Sequence, residues 1–393
     1  MPDPVTPDPA PRLETAAARA RRILGGRSAS GQESSAQEAG VSRLGMPDEQ
    51  DARAIAAKLR AVAPAATAGA AGRDQDAEAA ALGQSLVSRA RDAMLRLLNG
   101  TADGNIGGGD ATALEAVMFA RGRPALRIVE ARIEPISDQL HPGSGIWRTV
   151  IANHEGSMLT TCASTGAVRV RDKISGRGPW VQGTAWVIGG DCVVTNRHVV
   201  FPGGGFNHLA QRLPGQPPKA ILKKHLDISV DFAFDDTGPS LSFPVAEVLY
   251  VAEEGHPLDV AVLRLAANGQ AAMPGPLVMM EDVLAVGDIY VVGHPGKLDP
   301  SLVPEKVQAV FGSPDERKRV SLGKQMEMDG RYPGDAVYDA SSIGGFSGGA
   351  VCAIGLPGVG ALHYMGDESN GNRGVLTSEL LKSPVQGFIR RGR

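Results

Sequence analysis

Residues 183–200 read GTAWVIGGDCVVTNRHVV. Two short β-rich runs meet here at Gly189, Gly190 and Asp191, and the second ends in Thr195-Asn196-Arg197-His198. From about residue 145 short β-rich runs of this kind recur every ten to fifteen residues or so, with DVAVLRLA (259–266), DIYVVGHPG (288–296), GAVCAIG (349–355) and GVGALHYMG (358–366) as further examples. Gly, Pro, Asn and Asp punctuate them, which is the texture of an antiparallel sandwich or barrel. No series of long amphipathic helices alternates with these runs, which argues against a parallel α/β sheet.

Upstream the composition changes. All 17 aromatic residues lie at or beyond Phe119, and the first 100 residues hold 25 alanines. Such a segment buries little apolar area per residue, so the large core is expected in the last two thirds of the chain. Residues 1–74 read as a low-complexity tail with a short helix near Asp48–Val62, stopped by Pro64, and a linker over 63–75. Residues 75–130 read as a helical region, with Leu82, Leu86, Ala90, Met94 and Leu97 at helical spacing and a second helix from Asp110 through Leu114, Val117 and Met118. The glycine-rich stretch 103–110 lacks oxygen ligands at Gly107 and Leu114, where a calcium loop needs them, and reads as a connector. Residues 145–393 are the expected β domain.

Charge and cysteine usage narrow the function classes. Forty Lys and Arg oppose 43 Asp and Glu, a net charge of −3, which argues against a general nucleic-acid partner. No apolar run approaches the roughly 20 residues of a membrane span, and the N-terminus shows no apolar stretch of a secretory signal. Cys162, Cys192 and Cys352 fit neither a disulfide framework nor a zinc site, so a reducing, cytoplasmic setting is expected. His141, His154, His208, His225 and His256 show no metal-ligand spacing, and no metal or cofactor is expected. The remaining partner is a protein or peptide substrate, with the N-terminal region assigned to a regulatory partner of unknown kind.

Three residues could carry chemistry together. His198 closes the run VVTNRHVV, Asp259 precedes the run HPLDVAVLRL (256–265), and Ser347 sits in GGFSGGA (344–350). Each alone is most simply a strand end or a tight turn. As a set they match a chemical need. A serine hydroxyl is a poor nucleophile without an adjacent base. Histidine titrates near neutral pH, and a carboxylate fixes its tautomer. Glycines around Ser347 permit a strained turn in which the N–H groups of Gly345 and Ser347 converge on a developing oxyanion.

The blocks GTAWVIGGDCVVTNRHVV, HPLDVAVLRL and DASSIGGFSGGAV (339–351), in that order, resemble the three signature blocks of chymotrypsin-fold serine peptidases, nearest to the bacterial V8-like, glutamyl-endopeptidase-like branch. The resemblance covers about residues 145–393. It implies a mainly β, double β-barrel domain behind a helical, partly disordered N-terminal region, and serine endopeptidase activity. His198 would be the base, Asp259 its orienter, Ser347 the nucleophile, and Gly345 and Ser347 the oxyanion donors. Ala185 and Trp186 stand where Gly and Phe are usual, and both would pack in the barrel interior. Phe346 replaces the aspartate that pairs with a freed N-terminus in secreted trypsins, so that activation is not expected. Gly345-Phe346-Ser347-Gly348-Gly349 also satisfies the G-x-S-x-G pattern of α/β-hydrolases, but that fold needs a helix after the serine, where β-like sequence follows.

GALHYMGDESN (360–370) resembles the family segment that lines the primary specificity pocket. By that resemblance His363 and Ser341 meet the substrate side chain, favouring an acidic or small polar residue, and the preference weakens as pH rises above the imidazole pKa. The backbone from Tyr364 to Gly366 would pair with a substrate strand. His294, in VVGHPGK, matches a structural barrel turn, and Cys352 reads as a buried small apolar residue. The alternative to an enzyme is a catalytically silent, peptidase-like module that binds peptides or partners.

Overall fold

The computed structural model describes residues 47–62, 70–98, 113, 117, 123–136, 145–203, 207–213, 219–235, 240–269, 271–281, 287–297, 310–311, 315–326, 332–366 and 371–391. Two compact units divide the chain, one including Pro47–Ala120 and the other Arg121–Arg393.

The first unit holds helices α1 (Glu49–Val62) and α2 (Ala70–Leu98). Asp48 and Asp51 cap α1 reciprocally: Asp51 Oδ2 accepts the Asp48 N–H at 2.9 Å, and Asp48 Oδ1 accepts the Asp51 N–H at 3.3 Å. The buried face of α2 is Ala79, Gly83, Val87, Ala90 and Ala93, while Leu82 and Leu86 are only half-buried. Ala90 of the expected stripe is in this face, the side chains of Met94 and Leu97 lie outside the described residues, and the rest of the face is built mainly from small residues. They permit close approach of α1: a Cβ on Gly83 would lie 2.5 Å from the Ala52 carbonyl oxygen. The helix also takes in residues 70–75, expected as linker. Of the helix expected from Asp110, only Ala113 and Val117 are described, both buried. The rest of it, the stretch 103–110 and residues 1–46 lie outside the described residues.

The second unit opens with strands β1 (Ala125–Val129) and β2 (Arg132–Ile133) and helix α3 (Gly145–Ala163). A closed six-stranded barrel follows, from β3 (Thr165–Asp172), β4 (Trp180–Gly189), β5 (Cys192–Thr195), β8 (Leu226–Asp231), β9 (Ser242–Val251) and β10 (Ala261–Leu265), in the order β10-β5-β4-β3-β8-β9. The short helix α4 (Arg197–Val200) and a hairpin of β6 (Ala210–Leu213) and β7 (Lys219–Leu222) interrupt it. The second sheet contains β11 (Asp288–Gly293), β12 (Arg319–Lys324), β13 (Asp335–Tyr338), β14 (Ala350–Ala353), β15 (Ala361–Met365) and β16 (Asn372–Leu376). Its order is β13-β16-β15-β14-β11-β12-β1-β2, and a bridge from Gln325 to Tyr338 brings β12 back to β13. Helices α5 (Thr377–Leu381) and α6 (Gln386–Arg391) end the chain.

The double barrel and the mainly β class follow the expectation. Three local differences do not. Residues 145–163, expected in the β-rich part, form α3. Strand β1, expected within the helical region 75–130, pairs with β12 through Ala125–Ser321, Leu126–Val320 and Arg127–Arg319. Successive residues on a strand point to opposite faces. Ala185 and Val187 accordingly fill the first barrel's core, and Trp186, also fully buried, lies on the other face of β4 instead of in that interior.

Buried ionic contacts join the parts of this unit. Lys318 on the edge of β12 donates from Nζ to the Cys162 carbonyl at the end of α3 (2.7 Å) and to the Phe232 carbonyl after β8 (2.5 Å), with Asp235 at 3.7 Å. Arg123, just before β1, meets Asp339, just after β13, at 2.6 Å, with both side chains at most 7% exposed. Removing one member of such a pair strands a charge away from water. Arg123→Ala should therefore cost about 3–5 kcal/mol of stability, read by urea unfolding. A loss under about 1 kcal/mol would show that the β1 segment is not integral to the second sheet.

Candidate active site

Strand register sets the first half of the site. Thr195 and Ala261 are paired across β5 and β10, an antiparallel pair. The chain leaving β5 and the chain entering β10 therefore emerge at the same end of the barrel. Three residues after Thr195 comes His198, and two before Ala261 comes Asp259. The two side chains meet there, with His198 Nδ1 2.5 Å from Asp259 Oδ2. The second carboxylate oxygen accepts the backbone N–H of His198 at 3.1 Å, and the Asp259 carbonyl accepts from Asn196 Nδ2 at 2.8 Å. Burial pushes the Asp259 carboxyl upward. The hydrogen bond and charge of His198, its backbone N–H and the Arg197 guanidinium, 4.0 Å away, outweigh that and hold it below the ordinary carboxylate range. An ionised carboxylate only accepts, so Nδ1 carries a proton, and in the neutral tautomer this selects, Nε2 is the nitrogen with the lone pair.

The second half is the loop 344–349, laid across β4. Thr184 donates its N–H to the Ser347 carbonyl at 2.7 Å. A Cβ on Gly183 would lie 2.6 Å from Val199, which adjoins His198, and 3.1 Å from the Ser347 carbonyl oxygen, so one residue of β4 borders both halves. Gly345 has φ +99° and Gly348 φ +90°, where an L side chain is strained. A Cβ on Gly348 would also overlap the Thr184 carbonyl. Ser347 and His198 are both half-buried. No hydrogen bond joins the Ser347 hydroxyl to the His198 ring in this structure. Such bonds are often long until substrate is bound.

The loop's amides divide into two sets. Phe346 N–H bonds to the Ile343 carbonyl (3.1 Å), Gly348 N–H to His363 (2.8 Å) and Gly349 N–H to Phe346 (2.8 Å). Among the described residues, the N–H groups of Gly345 and Ser347 bond to no protein group. They are the pair expected as oxyanion donors.

The expected specificity residues are divided. His363 is 2% exposed, with Nδ1 2.6 Å from the Tyr338 hydroxyl. Burial, with the nearby charge of His198 second, lowers its pKa to about 3. The ring is neutral at working pH, so the expected weakening of an acidic preference with rising pH loses its basis. Ser341 is half-buried, and its carbonyl accepts from Ser321 Oγ at 2.6 Å. Its neighbour Ser342, which the sequence reading passed over, lies against Gly366: a Cβ there would be 2.9 Å from Ser342 Oγ. Tyr364 spends its hydroxyl on Asp335 Oδ2 at 2.6 Å. Among the described residues, β14 pairs with β15 through Ala350–Leu362 and Val351–Ala361 and backbone bonds join Gly348 and Gly349 to His363, whereas Met365 is paired with Arg373 of β16. The β14 side of residues 364–366 is thus left for another strand. His294 is fully buried and neutral, its pKa lowered first by burial, which agrees with a structural place. Cys352 is also buried, its thiol pushed up to about 12 by burial.

Residues 183–355 match the family described as trypsin-like peptidase domain. Among solved structures, Deg5 is 17% identical over 63% of this chain and 97% of its own, with a TM-score of 0.38. The active form of the Rv3671c protease from M. tuberculosis is 18% identical over 63% and 86%, with a TM-score of 0.37. Neuropsin, a serine protease expressed in the limbic system of mouse brain, is 13% identical over 57% and 93%, also with a TM-score of 0.37. No curated protein sequence matches the chain. No helix among the described residues is long and apolar enough to cross a membrane.

The buried neutral imidazole of His363 has a measurable consequence. The unfolded chain takes up a proton at this residue near pH 6.5, and the folded chain refuses it until about pH 3. The unfolded state binds more protons between those values, so the contribution of His363 to stability is full above pH 6.5 and is lost progressively as pH drops. Urea unfolding at pH 7 and pH 5 should show a smaller acid-induced loss in His363→Gln than in wild type. Equal losses would mean that the ring is accessible and titrates freely.

Proposed function

From the trypsin-like peptidase domain at residues 183–355 we propose that the protein is a serine endopeptidase acting through Ser347, His198 and Asp259. The observation that carries this reading is the 2.5 Å contact of His198 Nδ1 with Asp259 at the barrel end where the loop of Ser347 docks. His198 Nε2 takes the Ser347 proton as Oγ attacks the peptide carbonyl. The carbonyl oxygen becomes an oxyanion held by the free N–H groups of Gly345 and Ser347. Collapse breaks the C–N bond, and the amine leaves with the proton from His198. Water then repeats the sequence on the ester, releasing the acid and restoring the serine. No metal or cofactor enters these steps.

The substrate is read as an extended peptide whose backbone pairs with residues 364–366. Its side chain before the cut bond would meet an uncharged polar lining that includes Ser341, Ser342 and His363. A small polar or acidic side chain suits that lining, held by hydrogen bonds alone. The competing reading, a silent binding module, retains the fold and predicts no turnover.

Turnover of a peptide library decides between them. Ser347→Ala and His198→Ala should each lower kcat by about 10⁴-fold or more, with the double variant little worse, because the pair acts as a unit. Asp259→Asn should lose about 10⁴-fold by favouring the wrong tautomer. Additive losses in the double variant, or turnover that survives Ser347→Ala, would rule out this assignment.

A further inference from the structure

We propose that Thr184 is the positioning residue of the oxyanion hole, its hydroxyl tying the turn 294–296 to the loop that carries Gly345 and Ser347. The inference rests on the serine-peptidase reading above and deepens it.

The two donor N–H groups belong to peptide planes fixed from behind. The amide of Gly345 shares a plane with the Gly344 carbonyl, and that of Ser347 with the Phe346 carbonyl. In a trans peptide the C=O and N–H point in opposite directions. Gly296 N–H holds the Gly344 carbonyl at 2.5 Å, and Gly349 N–H holds the Phe346 carbonyl at 2.8 Å. Each donor is thereby turned away from its anchor. A rotation of the intervening Gly345–Phe346 plane, or of the Ser347–Gly348 plane that follows, would undo this arrangement, and Thr184 holds the carbonyl of each.

Thr184 is fully buried on β4 and uses its polar atoms in four directions. Its hydroxyl donates to the Gly345 carbonyl at 2.8 Å and accepts the His294 N–H at 3.0 Å. Its own N–H holds the Ser347 carbonyl at 2.7 Å, and its carbonyl accepts from Thr195 Oγ1 at 2.7 Å. The hydroxyl therefore connects the turn that anchors the Gly344 plane to the next plane along. The approach is close: a Cβ on Gly345 would lie 2.6 Å from the His294 carbonyl oxygen. Through Thr195 the same residue reaches the end of β5, three positions before His198. Thr184 touches neither substrate nor the reacting atoms. It holds the groups that do.

Thr184→Val keeps the shape and removes the hydroxyl, leaving the Gly345 carbonyl and the His294 N–H without their shared partner. Because misplacement of catalytic groups by about 1 Å can cost about 10²-fold, kcat for a peptide substrate should fall about that far with KM little changed. Affinity for a peptide boronate, which forms a tetrahedral adduct on the serine, should fall by a similar factor, and Thr184→Ser should restore both. A merely structural role would lower the melting temperature without separating kcat from KM. If the valine variant does not fold, Thr184→Ala gives the same readings with less steric load. Wild-type kcat and boronate affinity in either hydroxyl-free variant, or a serine variant as damaged as valine, would overturn the assignment of Thr184. A wild-type protein that turns over no peptide would instead overturn the proposed function.

Discussion

The docking of the 344–349 loop on β4 is the contact on which the site depends. The Thr184 N–H grips the Ser347 carbonyl at 2.7 Å, and Gly348 fits beneath only because it has no side chain. This contact determines where the serine stands relative to a barrel that already holds His198 and Asp259. The glycines at 345 and 348 are needed for two separate reasons, their positive φ and the absence of room for a Cβ. The site is therefore assembled from main-chain hydrogen bonds between barrel strands and one glycine-rich turn. Backbone bonds in a packed sheet vary little in length, which suits groups that must be placed within fractions of an ångström.

Burial acts differently on the two halves of the site. Around Asp259 it opposes ionisation but is outweighed by the donors of His198 and by Arg197, so the carboxylate stays charged and orients the ring. Around His363 no comparable partner offsets it, so the ring stays neutral, with Nδ1 in contact with the Tyr338 hydroxyl. Lys318 shows a third outcome. Its fully buried ammonium is lowered in pKa by burial yet surrounded by two carbonyls and a carboxylate, which joins α3 and the first barrel to β12. A charge in that position joins elements only while each partner is in place.

Much of the site was legible in the sequence because its chemistry restricts residue types. His198, Asp259 and Ser347 stood out as three rare requirements in order, and the structure gathers the first two directly. The β-rich runs gave the barrels because strands advertise themselves by β-branched residues between glycine turns. What stayed hidden depended on distant neighbours. Helix α3 carries Ile146, Thr149, Val150 and Thr161, which weaken a helical signal, and only packing reveals it. The buried face of α2 is mostly alanine and glycine, so a reading weighted toward Leu82 and Leu86 found Ala90 but passed over Ala79, Gly83 and Ala93. Thr184 lay inside the quoted block, but a threonine beside a glycine in a strand looks unremarkable until His294 and Gly345, 110 and 161 residues away, arrive at its hydroxyl. The neutral state of His363 likewise comes from burial that no local pattern encodes.

The central claim is that Ser347 is a nucleophile activated by His198. Intact-mass analysis after exposure to a fluorophosphonate tests it most directly, since that reagent phosphonylates an activated serine with loss of fluoride. The expected result is a single adduct that maps to Ser347, disappears in Ser347→Ala and forms far more slowly in His198→Ala. A wild-type protein that stays unlabelled, or an adduct whose rate is indifferent to His198, would contradict it.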